Sequence, residues 1–291
     1  MSTVTKSTKF PAQLVTEMFS KVKGHSSIAR MCGSEPIPFV GKDVFIFNFS
    51  SDVSVVGEGG AKPAGDAEVT PVQIRPIKVV YQSRVSDEFI YASEETRLEY
   101  IKAFAEGFMA KLGAGLDKIA MHGINPATGL ASDVIGHNHL DYVIAANNVT
   151  AYATGDAADA KLEAAIAKVE DCNGAIVSKT FRGDIAALAA NGARKYPEFA
   201  WGATPDSLGG MAFDANATVE DASAYVGDWS AFRWGFAKEL PLEVIQYGNP
   251  DGGTYDLKQA NEVLLRSEAF IGWGILNADA FAKVEPAAES E

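Results

Sequence analysis

The chain has 291 residues, of which 47% are hydrophobic and 22% charged, with a formal net charge of −13. That length can bury a substantial core, and the composition is that of an ordinary globular protein rather than a disordered one. The acidic balance excludes a protein that grips nucleic acid through its phosphates, and the absence of any run of about 18 apolar residues excludes a helical membrane span.

Residues 1–43 read as an extended arm with one short amphipathic helix. The helix opens at Pro11, carries Leu14, Val15, Met18 and Phe19 at helical spacing, and stops at Gly24. MSTVTKSTKF has no apolar core and is not expected to be a secretory signal. Residues 44–49, VFIFNF, form a β run with Phe45, Phe47 and Phe49 on one face. A polar, glycine-rich tip follows at 57–68, and strand pattern returns over 69–85 with Pro76 in its middle. The two runs and the tip make a long β-hairpin, which is marginal alone and needs another surface.

The strongest helix signal spans Ser93 to about His122, with Leu98, Ile101, Ala105, Phe108, Leu112, Leu116 and Ile119 on one stripe. Glu94 and Glu95 occupy its first turn, where the helix dipole favours negative charge. Beyond it, a strand is expected at Tyr142 to Ala145 and a helix through Leu162, Ile166 and Val169. A strand at 175–178 and a helix around Ile185 to Ala190 come next. Residues 222–247 are β-rich, and Val263, Leu265, Phe270, Trp273 and Ile275 mark long strands near the end. The mixture indicates an α+β architecture.

No constellation points to chemistry. His137 and His139 sit two apart without further ligands, and Cys32 and Cys172 are too few for a disulfide framework and too distant for a metal pair. GEGG at 57–60 lacks the Gly-Lys-Ser/Thr ending of a phosphate loop and does not open a helix. Trp229, Phe232, Trp234 and Phe236 alternate as a β core does. Catalytic, cofactor-binding and metal residues are accordingly expected to be none, and the protein is expected not to be an enzyme.

The order of parts resembles the major capsid proteins of tailed bacteriophages, the HK-ninety-seven-like fold, over about 240 residues. The likeness lies first in Glu58, Gly59, Pro63, Pro76, Lys78, Val85 and Ser86 of the loop and its exit. It continues in Asp117, Gly123, Pro126, Gly129 and Leu130 at the end of the long helix, in AIVSKTFRGDIAAL, SLGGMAFDAN and AYVGDWSAFRWGF, and in the closing NEVLLRSEAFIGWGILNADAFAKVE. The resemblance implies an N-terminal arm (1–43), an extended loop (44–85), a peripheral domain with a spine helix (86–130 and 251–291) and an axial domain (131–250).

It further implies a structural subunit that self-assembles through hexamers and pentamers into an icosahedral shell around double-stranded DNA. The DNA is enclosed without sequence-specific binding, and the virion assembles in the bacterial host cytoplasm. Partners would be other copies, a portal protein and a separate scaffolding or decoration protein; no membrane is involved. The expected subunit-interface residues are Phe10, Leu14, Glu58, Lys62, Pro63, Arg75 and Lys78. No motif pairs Lys62 or Lys78 with Asn249 or Asn261 for an isopeptide crosslink. Two alternatives remain open here: an encapsulin-like nanocompartment shell, and a β-rich hydrolase or ligand-binding protein.

Overall fold

The computed structural model describes residues 8–9, 25–49, 51–237 and 241–287. In chain order the strands are β1 (Thr8–Lys9), β2 (Lys42–Phe49), β3 (Ala67–Ile74), β4 (Ile77–Ser86), β5 (Val149–Tyr152), β6 (Gly174–Ser178), β7 (Ala189–Ala190) and β8 (Ala193–Arg194). They continue with β9 (Ser207–Leu208), β10 (Met211–Asn216), β11 (Ala224–Gly227), β12 (Phe232–Phe236), β13 (Pro241–Ile245), β14 (Glu262–Ile275) and β15 (Phe281–Pro286).

Two larger sheets organise the molecule. The first runs β1-β13-β14-β12, with β4 also paired to β14; the second runs β5-β15-β11-β6-β10-β9. The sheets are interleaved in sequence. β12 and β13, inside the stretch assigned to an axial domain, belong with β14 in the first sheet. The final strand β15, assigned to the peripheral part, instead pairs antiparallel with β11 and parallel with β5. Alternation tells which face of a strand is buried, but not which sheet receives it.

The spine helix spans Glu94–His122 as expected. Ser93 caps it by accepting from the Thr96 N–H at 3.3 Å, and Gly123 ends it in the left-handed conformation at φ 68°. Its first turns are exposed, whereas from Ala105 onward the stripe is buried with the first sheet in one core. A second core lies on the second sheet around Phe181, Phe199 and Phe213. Three tryptophans are buried, and each indole N–H finds a carbonyl: Trp229 donates to Gly174, Trp234 to Cys32 and Trp273 to Asn138.

Three local readings change. Tyr142 to Ala145 is not a strand, because Leu140–Val143 form a single helical turn. The helix expected around Ile185 to Ala190 starts earlier, at Lys179, where the Ser178 side chain caps it, and ends at Ala187. The strand expected over 69–85 is two strands, broken at Pro76, which has no N–H to give a ladder.

Candidate interaction surface

The break at Pro76 decides what the loop is. The true hairpin pairs β2 with β3 from Lys42↔Ile74 to Phe49↔Ala67, whereas β4 leaves it and pairs with β14 from Ser86↔Glu262 to Ile77↔Ile271. The hairpin is rooted on the first sheet: Ile74 is buried against Gly272 and Gly274 of β14. A Cβ on Gly274 would come within 2.7 Å of the Ile74 Cγ1, so bare backbone is what lets the root sit down.

From that root the ladder runs eight residues, on the order of 27 Å, away from the core. Opposed residues share a face, so Phe45, Phe47 and Phe49 stand on one side with Pro71, Val69 and Ala67. Their exposures are 62%, 57% and 77%. Val53 and Val55, between β2 and the tip, are fully exposed. A contiguous aromatic stripe in water is unusual for a lone subunit and marks an interaction surface.

The expected interface residues divide into three groups. Phe10 and Leu14, with the arm helix they belong to, lie outside the described residues. Glu58, Lys62, Pro63 and Arg75 are exposed, the first three in the tip and Arg75 at the hairpin root. GEGG forms a tight turn, with the Gly60 N–H donating to Gly57 O at 3.0 Å and Gly59 at φ 79°. Lys78 is not in the hairpin: it sits on β4, and its ammonium is 2.5 Å from Glu268 of the same chain.

Within the described part of the arm, the stretch from Ser26 to Ile37 is anchored on its own chain, whereas Phe39 and Val40 are exposed. Ile28 and Ala29 are fully buried, and residues 34–37 run beside β12, where Glu35 N–H donates to Trp234 O and Ile37 N–H to Phe236 O. The anchor is Asp117, buried on the spine helix. Its carboxylate accepts from Ser26 Oγ at 2.6 Å, Ser27 N at 2.9 Å, Ile28 N at 3.1 Å, Asn216 Nδ2 at 2.7 Å and Thr218 Oγ1 at 3.3 Å. Burial pushes its pKa up to about 6, against the pull of those donors. One side chain thereby holds the arm, the spine helix and β10 together. In the sequence Asp117 stands out only as part of a pattern, because its partners lie about 90 to 100 residues away.

A second polar cluster is likewise not legible in the sequence. His122, Asp141, Tyr225 and Lys283 meet where the spine helix ends on the second sheet. His122, Asp141 and Glu220 bring potential ligand atoms within 4.8 Å of one another. The Lys283 ammonium, however, lies 2.7 Å from Asp141 and 3.9 Å from Glu220, so both carboxylates already face a cation of the protein itself.

Residues 10–285 match the model of the phage capsid family. A solved chain from Mycobacterium phage Ogopogo is 31% identical, with a TM-score of 0.73, covering 90% of this chain and 92% of that one. One from Gordonia phage Cozz is 24% identical, with a TM-score of 0.72 and coverages of 91% and 87%. A chain described as the capsid of a native GTA particle is 13% identical, with a TM-score of 0.62 and coverages of 99% and 95%. No curated protein matches the chain.

Proposed function

The chain belongs to the phage capsid family, with a structural and non-enzymatic role as a self-associating component of the virion capsid, and from that premise we propose that its hairpin forms the contact between copies. Each copy lays the Phe45, Phe47 and Phe49 face across a neighbour within a closed icosahedral shell of pentamers and hexamers. The shell encloses double-stranded DNA, which an acidic chain can surround without gripping. Portal, scaffolding or decoration proteins would join during assembly in the host cytoplasm. Closed symmetric assemblies repeat one contact many times, so a modest apolar patch suffices.

The observation that carries this reading is the uncovered aromatic ladder, rooted firmly in its own subunit and bare along its length. Deleting residues 57–68 tests the part the hairpin's tip plays in that contact. The shortened subunit should fold with an unchanged circular-dichroism melt yet fail to close regular shells under negative-stain microscopy. Normal shells from the deletion would remove the tip from the assembly mechanism. The encapsulin-like and hydrolase alternatives have no observation in their favour.

A further inference from the structure

We propose that His122 is a doubly protonated imidazolium that latches the end of the spine helix to the second sheet, and that losing one proton opens the latch. Nδ1 lies 2.7 Å from Asp141 Oδ2, and Nε2 lies 3.0 Å from the backbone carbonyl of Thr218. Both are acceptors. A carbonyl cannot donate, and Asp141 is held ionised because its other oxygen receives the Tyr225 hydroxyl at 2.5 Å and the Lys283 ammonium at 2.7 Å. A neutral imidazole offers a single N–H, so it can serve one of the two acceptors and leaves a lone pair facing the other. Only the imidazolium satisfies both. Turning the ring over would put carbons against both acceptors, so no alternative placement does as well.

Asp141 faces the ring from the short helix Leu140–Val143, Tyr225 from β11, Glu220 from the turn after β10 and His139 from beside Gly123; Lys283 of β15 reaches the cluster through Asp141, and Glu285 through Lys283. The Lys283 and His139 groups oppose a second cation, and the carboxylates favour it. With His122 charged, two cations meet the three carboxylates Asp141, Glu220 and Glu285; with it neutral, only one does. His122 also occupies the last turn of a long helix, where the dipole favours a cation. Burial alone would depress its pKa, but the hydrogen bond and charge of Asp141 and the Thr218 carbonyl outweigh that and raise it.

The sign follows. A histidine whose folded pKa lies above its unfolded value stabilises fully below the unfolded pKa, and the benefit is lost as pH rises through the folded one. The latch is therefore closed at mildly acidic pH and loosens on the alkaline side. What loosens is the turn from Asn216 to Glu220, which Asp117 grips through Asn216 and Thr218 side chains and His122 through the Thr218 carbonyl.

Histidine C2-hydrogen exchange on the full chain, read peptide by peptide by mass spectrometry, gives a titration midpoint for each of the four histidines. Amide exchange over 216–220, corrected for the intrinsic rate, is followed across the same pH series in the wild type and in His122→Gln. We expect His122 to titrate above the ordinary value of about 6.5 and above His139. Exchange over 216–220 should rise several-fold through that midpoint in the wild type, with no such step in the variant. A His122 midpoint at or below the ordinary value, or 216–220 exchange that stays level through it, overturns the latch. If His122→Gln does not fold, the two wild-type titrations decide alone.

Discussion

Two strands of this chain carry the same pattern and meet opposite fates. β2 alternates Phe45, Phe47 and Phe49; β12 alternates Phe232, Trp234 and Phe236. The second set is buried, because β14 pairs along one edge, arm residues 34–37 along the other, and the spine helix joins the same core. Among the described residues the first set has only β3 beside it, a two-stranded ribbon with no third strand and no helix over its aromatic face. Both strands obey the same period-two rule. The difference is supplied by what the chain brings to each: β12 is covered by its own molecule, whereas β2 is left to the neighbouring copy we propose.

That contrast can be strained from either end. The largest effect on the subunit is expected from Trp234→Ala. It empties a buried site and removes the bond to the Cys32 carbonyl, so chemical denaturation should show a loss of about 3–5 kcal/mol. Asp117→Asn comes next. An amide cannot accept from five donors, and its own NH2 would face some of them, so urea unfolding should report about 1–3 kcal/mol. The arm should also become more susceptible to proteolysis between Ser26 and Ile37.

Asp141 has a pH signature. Its hydrogen bonds from His122, Lys283 and Tyr225 overcome burial and hold its pKa down to about 2. A depressed folded pKa stabilises above the unfolded value and is lost as pH falls through the folded one. Melting temperatures should thus drop between about pH 4 and pH 2 in the wild type, with a shallower slope in Asp141→Asn. Phe47→Ser should move subunit stability by no more than about 0.5 kcal/mol while sharply reducing assembly. Lys78→Ala should do least: its partner is Glu268 of its own chain and the pair is half-exposed, so a loss under about 1 kcal/mol and normal assembly are expected.

What could be read in advance follows the range of the interaction. The spine helix announces itself through a local stripe, a serine cap and a terminal glycine, all within one continuous segment. The phenylalanine ladder is equally local. Pro76 was visible, yet its consequence was not: whether a strand resumes in the same hairpin or leaves for β14 depends on a partner almost 200 residues away. The same holds for Asp117, whose meaning depends on Ser26 and Asn216, and for His122, whose acceptors sit on the short helix at 140–143 and the turn at 218. The crossing of β15 into the second sheet left no trace in its alternation. Sequence distance, rather than weak local signal, is what hid these features.

The central claim is that a second copy covers the Phe45, Phe47 and Phe49 face. Hydroxyl-radical footprinting of those three side chains measures it directly, comparing dissociated subunits with assembled shells and using buried Phe232 as the internal reference. We expect strong labelling in the free subunit and protection in the shell close to that of Phe232. Labelling that remains equally strong after assembly would contradict the account.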